Sequence, residues 1–127
     1  LIFEDDVVLI DHFDKRLKSL LYHIPNDWDV LFLFCWQSNS CKKNKFPITD
    51  DHRFLILNKR CMPTAPAYLV NRKSANIIKN NMMPIKMPVD DLLAELFKNK
   101  KIRAYCAFPE IANQSFASST IDDMEKR

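Results

Sequence analysis

Three consecutive carboxylates, Glu4, Asp5 and Asp6, follow directly on the apolar run Leu1-Ile2-Phe3. Adjacent like charges repel and resist burial, so the segment needs a compensating partner. Read as the end of a buried strand in an α/β sheet, Leu1 to Phe3 puts these acids at a strand's carboxyl end, where such folds bind ligands. Period-two alternation then sends Glu4 and Asp6 to one side and Asp5 to the other. Two converging carboxylates suit a hard divalent cation, Mn²⁺ or Mg²⁺, shared with a diphosphate whose charge the metal would neutralise on departure. The plainer alternative is a solvated acidic turn.

A second acidic pair, Asp90-Asp91, follows Pro88-Val89. Aspartates there are ordinarily helix caps, worth about 1 kcal/mol. A helix start also favours an ionised carboxylate, and one facing a pocket can take a proton from a hydroxyl as general base. Asp27-Trp28-Asp29, Pro109-Glu110-Ile111, Gln114 and Ser119-Thr120-Ile121 read by physics alone as turn, core aromatic and loop residues.

The elements that must position these groups are legible from periodicity. Asp11 is placed to cap a helix carrying Phe13, Leu17, Leu20, Leu21 and Ile24 on one face, stopped by Pro25-Asn26-Asp27. The continuous apolar run in 29–34 predicts an inner parallel strand. The polar, Lys-rich stretch 37–53 predicts a loop, and Phe54 to Leu57 a short strand. Ala67 to Val70 predicts another strand, then Asn71 as cap of a helix with Ala75, Ile78 and Met82 inward. Asp90 caps a further helix bearing Leu92, Leu93, Leu96 and Phe97; Arg103 to Phe108 is a strand, and Pro109 onward is loop. Strands alternating with helices predict one α/β domain with a largely parallel sheet.

Composition sets bounds. The chain has 127 residues, 47% hydrophobic and 28% charged, with net charge +3, which fits one globular domain and excludes a disordered one. No apolar run reaches the ~20 residues of a membrane-spanning helix. The positive charge is dispersed, with no basic stripe interleaved with aromatics, which argues against a nucleic-acid partner; Lys98-Asn99-Lys100-Lys101 reads as a solvated helix end. Cys35, Cys41, Cys61 and Cys106 show no CxxC spacing, so a zinc site with His12, His23 or His52 is not expected. Buried free thiols are a simpler expectation than a Cys35–Cys41 disulfide. There is no Gly, where average usage would supply roughly nine. The abrupt apolar opening, without an initiating Met, reads as a chain whose N-terminal portion is missing.

Taken together and in order, these segments resemble glycosyltransferase family 25, the lipooligosaccharide and procollagen galactosyltransferases. The resemblance is carried by Leu1-Ile2-Phe3-Glu4-Asp5-Asp6-Val7, Asp27-Trp28-Asp29 with Leu31 and Leu33, Ala67-Tyr68-Leu69-Val70-Asn71, Ala75, Pro88-Val89-Asp90, and Pro109, Gln114 and Ser119-Thr120-Ile121. It implies a GT-A type, Rossmann-like, mostly parallel sheet flanked by helices, with the acidic motif at a central strand end. It implies an inverting transferase moving a hexose, usually galactose, from a UDP-sugar donor to a hydroxyl of a glycan or of hydroxylysine in a collagen-like chain. Carried onto this sequence, Asp6 and Glu4 are the metal ligands, for Mn²⁺ or Mg²⁺. Asp90 is the general base with Asp91 second, and Glu4, Asp5, Gln114 and Ser119 contact the donor. The lipooligosaccharide type would work on the cytoplasmic side of a membrane and the procollagen type in the endoplasmic reticulum lumen. The chain departs from the family where Gly is usual: after the inner strand, where Phe34-Cys35-Trp36 stands; before the Ala-Tyr pair, where Thr64, Ala65 and Pro66 stand; and at Ser74. Bulkier residues at such sites can bar positive φ or close ligand approach, so the alternative is a glycosyltransferase-like binding or structural domain without turnover.

Overall fold

A computed structural model describes residues 1–34 and 65–115, together with the backbone of Lys45–Pro47 and Arg53–Ile56. Eight strands and three helices follow in the order β1 (Ile2–Phe3), β2 (Val7–Leu9), α1 (Phe13–His23), β3 (Val30–Phe32), β4 (Lys45–Pro47), β5 (Arg53–Ile56), β6 (Ala67–Val70), α2 (Arg72–Met82), α3 (Val89–Lys98), β7 (Ala104–Phe108) and β8 (Ala112–Gln114). Six strands form one sheet in the order β1-β6-β3-β7-β5-β4, and β2 pairs with β8 in a separate ribbon.

The α/β class holds, but the largely parallel sheet does not. Among the described residues only β3 and β7 run parallel; β1–β6, β3–β6, β5–β7 and β4–β5 are all antiparallel. The apolar runs that predicted inner strands report burial on both faces, which is indifferent to strand direction. β3 is indeed an inner strand, with all three residues buried. β1 is not: it is the outermost strand, with β6 as its one strand neighbour among the described residues, and Leu1, Ile2 and Phe3 are exposed. The acidic motif therefore follows an edge strand, not a central one.

Strict alternation divides the core in two. Val30, Phe32, Tyr68, Ala104 and Cys106 point to one face, where α2 and α3 cover them with Ile78, Leu92, Leu93 and Leu96. Leu31, Leu33, Ala67, Leu69, Tyr105 and Ala107 point to the other, under α1 (Leu20) and Ile24, with Ile111 and Ala112 beside them. Three layers around a central sheet result.

Several boundaries differ from expectation. Asp11 does not cap α1; His12 does, in the left-handed region at φ 58° and without a side-chain bond, and Leu21 is exposed. The 37–53 stretch contains β4 and the first residue of β5, both invisible in its Lys-rich composition. The segment after Pro109 forms β8, whose partner β2 lies about a hundred residues away, beyond any local signal. Asn71 does cap α2, its Oδ1 accepting from the Ser74 amide at 2.8 Å, but Ser74 and not Ala75 turns inward. Asp90 is the second residue of α3 and not its cap; that place belongs to Pro88, whose carbonyl accepts from Leu92 N at 3.1 Å.

The end of α3 shows how a glycine-free chain turns. Lys100 N donates to Phe97 O and Lys101 N to Leu96 O, with Lys100 at φ 58°. This is a Schellman closure with lysine in the left-handed position that Gly ordinarily takes. Lys98 to Lys101 are exposed, as a solvated helix end should be. Cys106 is buried, its Sγ donating to Ala107 O at 3.6 Å; Cys35, Cys41 and Cys61 lie outside the described residues.

Candidate functional site

β1, β3 and β7 all run antiparallel or opposite to β6, so their carboxyl ends share one edge of the sheet, beside the start of β6. The acids are there, in a turn and not in continuing strand. Glu4 N donates to Pro66 O at 2.8 Å, extending the β1–β6 ladder by one residue, and Val7 N donates back to Glu4 O at 3.4 Å. Asp6 O accepts from Ser115 N at 2.8 Å where the β2–β8 ladder begins. The Glu4-to-Val7 turn is thus pinned by the main sheet at one end and the ribbon at the other. Glu4 thus continues the β1–β6 alternation by one residue, whereas Asp6 owes its placement to the turn.

The side chains divide the work. Asp6 Oδ2 accepts from Gln114 Nε2 at 2.8 Å, while Asp6 Oδ1 is buried with no hydrogen-bond partner, the one such side-chain atom among the described residues. A buried carboxylate oxygen without a donor is costly and marks a place for a positive ligand. Gln114 accordingly orients Asp6, leaving its amide nitrogen engaged. Glu4 and Asp5 are exposed. Burial, and then the charges of Asp6, Asp90 and Asp5 in that order, push the Glu4 carboxyl above its ordinary range. Each of these three charges is negative.

That Asp90 acts on Glu4 is explained by the path of α3. Ten residues of helix span about 15 Å and five of strand about 17 Å. With the reversal at Lys100 joining them, the start of α3 returns to the edge where β7 ends. Asp90 is half-buried, its Oδ1 accepting from Asp91 N at 2.9 Å; Asp91 is exposed. The turn acids and Asp90 therefore meet electrostatically at one edge. Ser119 lies outside the described residues.

The donor set decides which ion these residues could hold. No group of three or more His, Cys, Asp or Glu suited to a metal occurs among the described residues. A zinc site would need such a set. Mg²⁺ and Mn²⁺ can make do with one or two carboxylates, completing their shells with water and phosphate oxygens. Asp6, with its unpartnered Oδ1, and Glu4 fit that second description.

Asp27-Trp28-Asp29 sits at the opposite edge, where it fastens the fold. Asp29 Oδ2 accepts from Arg103 N at 2.8 Å and Asp27 Oδ1 from Tyr105 Oη at 2.8 Å, while Arg103 also pairs with Asp27. Asp29 O accepts from Asn71 N at 3.1 Å and from Ser74 Oγ at 2.7 Å, and Asn71 Nδ2 donates to Trp28 O. Ser74, fully buried in a position where the family commonly has Gly, makes its own hydrogen bonds far from the acids. Phe34, Ala65 and Ser74 all have negative φ, since among the described residues only His12 and Lys100 are positive. At these three positions the missing glycines deny the backbone nothing; Cys35, Trp36 and Thr64 lie outside the described residues.

A hollow of about 190 Å³ along α3, bordered by Asn81, Lys86, Leu92, Glu95, Asn99 and Lys101, includes neither the turn acids nor Asp90. No helix among the described residues is long and apolar enough to cross a membrane. Sequence reasoning missed two contributors to the acidic edge: the Gln114–Asp6 bond and Tyr68, whose hydroxyl feels the Glu4 charge. Only the β1–β6 and β2–β8 pairings reveal them.

No curated protein and no solved structure matches the chain. The family model of glycosyltransferase family 25 (LPS biosynthesis protein) matches residues 1–93, which include the acidic turn, the Asp27–Asp29 clamp, β6 and the start of α3, and stop short of Gln114 and Ser119. The chain belongs to glycosyltransferase family 25.

Proposed function

We propose that this chain acts in an inverting, metal-assisted transferase of the GT-A type that moves a hexose, galactose by preference, from a UDP-sugar to a hydroxyl of a lipopolysaccharide-type glycan. Family membership supports a glycosyltransferase with a sugar donor and a glycan acceptor, and its description favours a lipopolysaccharide acceptor over hydroxylysine. The observation that carries the finer reading is the buried, partnerless Asp6 Oδ1 at an edge where Glu4 already feels Asp90. Bound there by Asp6 and Glu4, Mn²⁺ or Mg²⁺ would supply positive charge to the leaving diphosphate. The acceptor oxygen attacks the anomeric carbon as the bond to the diphosphate oxygen breaks, inverting the centre, and its proton passes to Asp90. Asp90 serves through Oδ2, because Oδ1 is engaged by Asp91 N. Asp91 stands second for that role. Gln114 holds Asp6, Asp5 adds donor contacts from the turn, and Ser119 contacts the donor.

The reading without turnover drew on the glycine replacements, and the backbone at Phe34, Ala65 and Ser74 gives it no support. The test is transfer from UDP-galactose with Mn²⁺, comparing the parent with Asp90→Asn. A general base contributes about 10²–10⁴-fold, so kcat should fall by at least about a hundredfold while donor affinity is kept. An Asp90→Asn protein with parental kcat would refute the assignment.

A further inference from the structure

Tyr68 stands beside the acids although no function has yet been given to it. It pairs in register with Ile2 on β1, so both side chains leave the same face of the sheet. Glu4 follows Ile2 by two residues with its amide still bonded to Pro66, which carries the alternation on to that face. The Tyr68 ring is packed into the α2/α3 side of the core, 5% exposed and with its centroid 6.0 Å from that of Phe32. Among the described residues its hydroxyl has no hydrogen-bond partner. The Glu4 carboxylate likewise has no hydrogen-bond partner among the described residues. Burial and then the Glu4 charge push the Tyr68 hydroxyl above its ordinary range, which keeps it a donor.

An open neutral donor and an open anionic acceptor thus lie side by side without bonding each other. The group that satisfies both at once is a hydroxyl, which accepts through a lone pair and donates its proton. We propose that Tyr68 is a positioning residue of the donor pocket, its phenol O–H donating to, and Glu4 accepting from, one hydroxyl of a sugar ring. This rests on the transferase reading above. The ring is either the ribose of the nucleotide or the hexose being transferred, which present the same chemistry.

The test is calorimetric binding of UDP and of UDP-galactose to the full chain with Mn²⁺, for the parent, Tyr68→Phe, Glu4→Gln and the double variant. Tyr68→Phe keeps the ring in the core and removes no bond of the free protein, so its Tm should match the parent's. Its affinity for UDP-galactose should fall roughly tenfold, the loss expected of one hydrogen bond. An equal loss for UDP identifies the ribose; an intact affinity for UDP identifies the hexose. In the Glu4→Gln background the further loss should be smaller, since the two groups share a hydroxyl. Parental affinity for both ligands in Tyr68→Phe, or full additivity in the double variant, would overturn this inference and leave the transferase reading standing. A parent that binds no UDP-galactose would overturn both.

Discussion

Replacing Asn71 by Ala should unfold the far edge of the sheet more readily than any other single change in the Asp27–Asp29 clamp. Asn71 Oδ1 accepts from Ser74 N at 2.8 Å and its Nδ2 donates to Trp28 O. Loss of an Asn cap costs about 1 kcal/mol, and the bond to Trp28 O adds about 1 more. The capped amide belongs to a fully buried residue, so water cannot replace the lost partner cheaply. The sum is about 2 kcal/mol, which for 127 residues lowers Tm by about 7 °C. Ser74→Ala is the internal control. The Ser74 hydroxyl has one proton to share between Asp29 O and Asn71 Oδ1, each 2.7 Å away, and both acceptors keep an amide donor without it. Its loss should therefore cost about 1 kcal/mol or less. Urea unfolding followed by circular dichroism measures both. An Asn71→Ala variant destabilised by less than about 0.5 kcal/mol, or less than Ser74→Ala, would refute the idea that this cap joins β3, β6 and α2.

Two further changes probe the acidic turn and the missing glycines. Because the Glu4 carboxyl is pushed up in the folded protein, the native state keeps its proton to a higher pH than the unfolded chain does, and stability falls as pH rises through that window. Glu4→Gln should be more stable than the parent at pH 7, with the gap closing below the ordinary carboxylate range; a less stable Gln variant at pH 7 contradicts this. Lys100→Gly should stabilise the fold by about 0.5–1 kcal/mol by relieving the left-handed lysine, and a loss of stability in urea unfolding would contradict it.

What the sequence made legible was what depends on short-range pattern. β6, β3 and the buried faces of α1 and α3 follow from apolar spacing, and Asn71 announces its cap because an Asn before a helical stretch has few other uses. Strand direction was not legible, since a buried Val-Leu-Phe run suits either neighbour. Nor was β8, whose Ala-Asn-Gln sequence has no strand signature and whose ladder partner, β2, lies about a hundred residues away. The same non-local pairing hid the site's finer structure. The acids were visible as a cluster, but their shape depends on a turn tied to Pro66 and Ser115, residues far off in sequence. Tyr68 looked like a core aromatic, and it is one; only its register with Ile2 brings it near Glu4.

The central claim is that the unpartnered oxygen of Asp6 receives a divalent cation together with the diphosphate of an activated sugar. Asp6→Asn retains an oxygen for Gln114 and should fold like the parent. Titration calorimetry of UDP-galactose into the parent should show binding with Mn²⁺ that weakens by more than about tenfold in chelator, and the Asp6→Asn protein should give the weak value in both conditions. Equal affinity with and without metal, or an Asp6→Asn protein that still responds fully to Mn²⁺, would contradict the account.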